Sequence, residues 1–250
     1  MIKIEDFMPS KPTTQPKLSI LIPTFNRAQL LRDCLQSILS QKWDHENKLE
    51  IVILDGGSKD ATCEFLQSIV STRLPIIYQT RPNRRADLSL IEGWPAFMNR
   101  LIDMSSAPWF LWLNDDCVMM DNSLNIINNA IKTNNCTIGA YACKTNMSKG
   151  DRNQTRFAVS KNFNRTSMNF GLIRRTILNA TGKFEPSYEF YNADGDLSMA
   201  IWNSGHTIEP LDAYIYNDMC DDYRAINKRK FDVDMNKFRI KWSKIFNQKW

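Results

Sequence analysis

LSILIPTFNR, residues 18 to 27, is the stretch on which the fold turns. Its first five residues form a short apolar run without the strict alternation of a half-solvated strand, the pattern of a strand covered on both faces in a parallel sheet. Pro23 ends the run. Beyond PTFNR, residues 28–39 place Leu31, Leu35, Ile38 and Leu39 at helical spacing. A buried strand that runs straight into an amphipathic helix opens a βαβ unit, and the rest of the chain can be searched for its continuation.

The continuation is there. LEIVIL at 49–54 is a second buried strand, closed by DGGS, and helix-compatible sequence covers 59–70. LPIIYQT supplies a third strand, 87–104 a longer helix, WFLWL a fourth strand, 121–132 another helix and TIGAYAC a further apolar segment. Strand and helix alternate with connections short enough for right-handed crossovers, which predicts an α/β domain with a mostly parallel, doubly wound sheet. Residues 144–165 are polar and turn-rich and read as a mobile loop. A short strand near 169–174, a helix over 194–203 and a strand over 211–216 complete the pattern.

The totals bound the setting. A chain of 250 residues suits one large α/β domain with a tail. No stretch approaches the roughly 18 to 20 uninterrupted apolar residues that span a bilayer. The opening residues are acidic and Pro-rich where a secretory signal carries its apolar run, and the six cysteines show no CxxC. Both features point to reduced thiols, no zinc site and a cytoplasmic setting. From residue 221 onward nine Lys or Arg stand against four Asp, an excess equal to the whole net charge of +5. The expected organisation is an extension over 1–17, a catalytic domain over 18–220 and a basic helix over 221–250.

In an open parallel sheet, ligands bind outside the carboxyl ends of the strands. Four predicted strands end in unusual polar residues: PTFNR (23–27), DGGS (55–58), RPNRR (81–85) and NDD (114–116). DGGS lacks the lysine of a phosphate-cradling loop, and no GxGxxG follows the first strand. Asp55, followed by two glycines, suits a carboxylate that accepts from a base or ribose, or one that caps the next helix. Asp115 and Asp116 repel one another unless something positive lies beside them. Beside an arginine-rich loop, two such carboxylates suit a divalent cation bridging a diphosphate, and their all-oxygen donors favour Mg²⁺ or Mn²⁺ over zinc.

LSILIPTFNRAQLLRDCLQSILSQ, EIVILDGGSKDAT, FLWLNDDCV and GKFEPSYEFYNADGDLSMAIWNSGH, in that order across residues 18–217, resemble the landmarks of glycosyltransferase family 2, whose fold is GT-A. The resemblance implies an inverting, metal-dependent transfer of a sugar from a nucleotide-diphosphate donor. It implies that Pro23, Thr24, Asn26 and Arg27, in the PTFNR segment, pack around the nucleotide and that Asp55 meets base or ribose, with a UDP- or dTDP-linked donor favoured. Arg84 and Arg85 fall where a basic residue meets the donor. Asn114, Asp115 and Asp116 fall at the metal-holding motif, with Asp116 the principal ligand and Asp115 beside it. ADGDL at 193–197 aligns with the element that carries the general base, giving Asp194 that role and retaining Asp196. Three departures stand out: Asn114 replaces an Asp, Ala193 replaces a Glu, and Asn217 and Asp218 stand where many members place a His. They keep open a non-catalytic binding module on the same fold; a sugar nucleotidyltransferase, which shares the sheet and needs a metal, is the second alternative, though PTFNR is not the Gly-rich basic loop it would carry after the first strand.

Phe231, Met235, Phe238, Trp242 and Phe246 make one apolar face of a terminal helix, with lysines on the others. That helix is expected to pack on the catalytic domain, to touch a membrane surface near a lipid-linked acceptor, to form a homodimer, or to meet a polyanionic acceptor such as nucleic acid. The acceptor classes open at this stage are a glycan, a lipid-linked sugar, a protein and a modified nucleic acid. Trp94, close to the crevice, is a candidate for stacking on a sugar or base.

Overall fold

The computed structural model describes residues 15–42, 49–69, 76–80, 93–134, 136–146, 156–217 and 228–246. Its first half is β1 (Leu18–Thr24), α1 (Ala28–Leu39), β2 (Leu49–Asp55), α2 (Thr62–Ile69), β3 (Ile76–Thr80), α3 (Trp94–Met104) and β4 (Trp109–Trp112). Then follow β5 (Cys117–Met119), α4 (Ser123–Thr133), β6 (Ile138–Asn146), β7 (Phe157–Ala158), β8 (Ser160–Asn162), β9 (Arg165–Ser167) and β10 (Gly171–Arg174). The chain closes with α5 (Arg175–Ala180), α6 (Ala193–Asn203), β11 (Thr207–Asn217) and α7 (Lys228–Phe246).

The main sheet runs β3-β2-β1-β4-β10-β6-β11-β5, with β7 added to β6. Its first four strands are parallel, and all of β2 and β4 is buried, as expected of strands covered on both faces. The second half departs from the mostly parallel expectation. β10 enters antiparallel between β4 and β6, and β5 pairs antiparallel with β11, while β6 and β11 stay parallel. The sheet is therefore parallel on the side of PTFNR and mixed beyond it.

Three local expectations are corrected. The segment 144–165 is not one loop: β6 runs on to Asn146, and 157–167 forms β7 and the β8–β9 hairpin, whose short polar strands give no alternation to read. β11 begins four residues earlier than predicted. It includes Pro210, which β11 accommodates because β5 reaches only Ile215–Asn217 and leaves that stretch, among the described residues, with β6 as its one strand partner. Finally, the predicted helix 87–104 begins at Trp94, with Gly93 extended at its N-cap (φ -66°, ψ 168°); residues 81–92 lie outside the described segments.

The terminal helix α7 packs on the domain. Phe238 and Trp242 are 0% and 2% exposed and join the main core, with Met235 and Phe246 against it. Burial of each large side chain contributes about 2 kcal/mol. Among the described residues no helix is long and apolar enough to cross a membrane, and the five described cysteines are free thiols.

Candidate active site

The register sets the site. Thr24 and Asp55 are level at the ends of β1 and β2, and Leu113 continues β4 by donating its N–H to Leu21 O at 3.0 Å. PTFNR, DGGS and NDD thus leave the sheet together. Asn26, at φ 53°, turns the chain out of β1, a left-handed conformation that asparagine tolerates. Its N–H donates to Ser58 Oγ at 2.7 Å and its Oδ1 accepts from Lys59 N at 2.7 Å, which ties PTFNR to DGGS.

Asp115 is 4% exposed and accepts from Thr24 Oγ1 at 2.8 Å and from Arg27 Nη1 at 3.0 Å. The same Arg27 nitrogen lies 3.2 Å from Asp116 Oδ2, so one guanidinium serves two carboxylates. Burial raises the Asp115 pKa and Arg27 opposes it; the net direction is upward. Burial, then the neighbouring Asp115 charge, pushes Asp116 up to about 6. Its Oδ1 is buried and, among the described residues, has no partner. An open lone pair there is costly unless something positive fills it.

A second open oxygen lies nearby in register. Asn217 pairs with Cys117 across β11 and β5, one residue from Asp116. Asn146 holds its backbone from both sides, donating to Asn217 O at 3.2 Å and accepting from Asn217 N at 2.7 Å. The Asn217 Oδ1 is buried without a partner among the described residues. No group of three or more His, Cys, Asp or Glu converges among them. A cation here would therefore draw on Asp116 and on amide, water or phosphate oxygens, a set that suits Mg²⁺ or Mn²⁺.

The other expected residues fall as follows. Asn114 Oδ1 accepts from the Trp94 indole at 3.3 Å, which places Trp94 against the aspartate turn. Pro23 lies within β1, level with Leu54. Asp55 is fully buried and accepts from Ser58 N, at 3.1 and 3.2 Å, and from Ser58 Oγ; in this structure it shapes the DGGS turn. Arg84, Arg85 and Asp218 lie outside the described residues.

Asp194, in the first turn of α6, lines a cleft of about 490 Å³ together with Ser160, Asn162, Asn169, Tyr191 and Asn192. Its Oδ1 accepts from Gly195 N at 2.8 Å, and burial pushes its pKa up to about 6. The cleft adjoins the end of β4, since Trp112 donates its indole N–H to Asn169 O at 2.9 Å. Asp196 is placed differently. Its Oδ1 takes hydrogen bonds from Tyr188 Oη at 2.9 Å and Trp242 Nε1 at 2.7 Å, and Lys241 Nζ is 2.8 Å away. Asp196 joins α6 to α7 and does not line the cleft. The residues that hold it, Tyr188, Lys241 and Trp242, were not foreseen; an acid within the helical face of ADGDLSMAIW was the available signal.

The profile of Glycosyl transferase family 2 matches residues 19–188, ending just before the Asp194 element. A GalNAc(5)-diNAcBac-PP-undecaprenol beta-1,3-glucosyltransferase of Campylobacter jejuni is 30% identical over 112 residues, 45% of this chain and 33% of that one. A PGL/p-HBAD biosynthesis glycosyltransferase of Mycobacterium bovis is 34% identical over 104 residues, 40% and 36% of the two chains. The matched region thus spans about a third of these curated relatives. Among solved structures, the mannosyltransferase PcManGT from Pyrobaculum calidifontis, in complex with GDP-Man and Mn²⁺, superimposes with a TM-score of 0.67 at 19% identity, covering 96% of this chain and 67% of that one. S. aureus TarS 1-349 gives 0.66 at 16% identity, covering 90% and 64%. These likenesses establish the fold. With the profile covering most of the sheet and every strand end described above except that of β11, the chain belongs to glycosyl transferase family 2.

Proposed function

We propose that the chain transfers a sugar from a nucleotide-diphosphate donor to a hydroxyl of a glycan or lipid-linked glycan, with inversion at the anomeric carbon and with a divalent cation. The observation that carries this reading is the buried Asp115–Asp116 pair, which among the described residues has one guanidinium for two carboxylates and an open Asp116 Oδ1. The family assignment supports sugar transfer, and the relatives' names support glycan and lipid-linked acceptors.

The donor's nucleotide would lie over PTFNR and DGGS, with Pro23, Thr24, Asn26 and Asp55 around base and ribose and with Arg27, Arg84 and Arg85 toward the diphosphate. Asp116, with Asp115 beside it and Asn217 Oδ1 across β5, would hold the cation. When bound, Mn²⁺ or Mg²⁺ supplies positive charge against the departing diphosphate. Fold neighbours bind GDP-Man with Mn²⁺ and UDP-GlcNAc, so both uridine and guanosine donors belong in any panel.

The cleft supplies the acceptor side. Its amides and hydroxyls match a polyhydroxylated acceptor. Asp194 Oδ1 is committed to Gly195 N, which leaves Oδ2 to take the acceptor hydroxyl's proton as its oxygen bonds to the anomeric carbon and the bond to the diphosphate breaks.

The test is a thermal-shift panel of nucleoside diphosphates and nucleotide sugars, each with and without Mn²⁺, on wild type and Asp116→Ala. A metal-dependent rise in melting temperature with one base, abolished in the variant, is expected. Shifts of equal size without metal, or in the variant, would remove the cation from the account.

A further inference from the structure

The loop between the two halves of the site is held from behind by the terminal helix, through a side chain that the reaction itself does not need. Asp234, on α7, is 1% exposed. Its Oδ1 accepts from Glu189 N at 3.1 Å, and its Oδ2 accepts from Phe190 N at 2.9 Å and Tyr191 N at 2.8 Å. Three successive backbone N–H groups pointing at one carboxylate form an anion-binding concavity, here filled by the protein's own chain. Charge-assisted hydrogen bonds of this kind offset the cost of burying the carboxylate, and they fix the backbone that supplies them.

That backbone reaches both halves of the site. On one side, Glu189 O accepts from Trp94 N at 3.1 Å, at the start of α3. A Cβ on Gly93 would stand 2.4 Å from the same oxygen, so the contact requires glycine there. Trp94 in turn donates its indole N–H to Asn114, beside Asp115. On the other side, the loop runs into Asn192, which has φ 59°, caps α6 without a side-chain hydrogen bond and accepts Asp196 N through its own carbonyl at 2.8 Å. Asp194 follows two residues later. A second tie, Asp196 to Trp242, Lys241 and Tyr188, holds α6 to α7 on the same side.

We infer that Asp234 is a positioning residue: it sets the 189–192 loop, and through it the register of the Asp194 carboxylate against the Asn114–Asp116 turn. The inference rests on Asp194 being the base. Donor binding draws on β1, β2 and β4 and does not need this register; turnover does. A catalytic group displaced by about 1 Å can cost on the order of 100-fold in rate.

The experiment uses the full chain with Asp234→Ala and the milder Asp234→Asn, which keeps one acceptor oxygen. Three quantities are compared with wild type: the Kd of the nucleoside diphosphate with Mn²⁺, turnover at saturating donor, and hydrogen exchange over 189–192. The expected result for Asp234→Ala is a Kd within about twofold, turnover down on the order of 100-fold, and faster exchange confined to the loop. Asp234→Asn should recover part of both turnover and protection. Unchanged turnover with a loosened loop would overturn the positioning role alone, and so would a loss of donor affinity equal to the loss of turnover, because a general loss of folded protein moves both. A wild-type chain that turns over no donor would overturn the proposed function and this inference together.

Discussion

Two carboxyls at the site have their pKa pushed up to about 6, and each carries a prediction. Asp194 is raised by burial, so it holds its proton to higher pH than an exposed aspartate and can act as a base only once it is lost. The rate should therefore fall as pH drops through about 6 and level above it. A pH profile of kcat/KM checks this, and a rate still rising from pH 7 to 9 would point to another base. At Asp116 the charge balance is what matters. Arg27 is the cation shared by the pair, so Arg27→Met should lower stability by roughly 1–3 kcal/mol without metal. Adding Mn²⁺ should close much of that gap, because a bound cation takes over the compensation. Melting temperatures of the variant with and without Mn²⁺ measure it; an equal deficit in both conditions would mean that the pair is not a cation site.

The elements that carry these residues are held at the far edge of the sheet as firmly as at the site. Glu50, within β2, is fully buried and accepts from Ser19 Oγ, from Ser106 N at 2.6 Å and Oγ at 3.0 Å, and from Ala107 N at 3.3 Å. It pins the start of β4 to β1 and β2 at the end opposite Asp115. Glu50→Ala strands buried donors and should cost about 3 kcal/mol in chemical denaturation, with little change in nucleotide Kd once folded. A drop below 1 kcal/mol would mean that water satisfies those donors. α7 presents the converse case. Its inner face joins the core, while Val233 and Ile240 are 53% and 63% exposed on its outer face. The helix is thus a structural part of the domain whatever its outer face meets.

At the scale of the whole molecule, the parallel half was legible because its strands carry apolar runs such as LSILI, LEIVIL and WFLW, and β1, β2 and β3 each lead into an amphipathic helix. The mixed half was not. β10, β5, β8 and β9 are three or four residues long, too short for any period to show, and β10 and β5 pair with strands far away in sequence. The strand-end residues Thr24, Arg27, Asp115 and Asp116 could be read because strand ends of a parallel sheet converge on one edge. The contacts of Asp196 and Asp234 that join α7 to α6 and to the 189–191 loop could not, because they link residues 40 or more apart. The signal for Asp234 was an acid flanked by the apolar stripe of Phe231, Met235 and Phe238.

The central claim is sugar transfer with Asp194 as base, and it meets its most direct test in nucleoside diphosphate release from a donor that binds both wild type and Asp194→Asn. The account predicts equal donor affinity, with release in wild type and a loss of about 10²- to 10⁴-fold in the variant. Release at the wild-type rate from Asp194→Asn, or tight donor binding with no release from wild type under any acceptor, would contradict it.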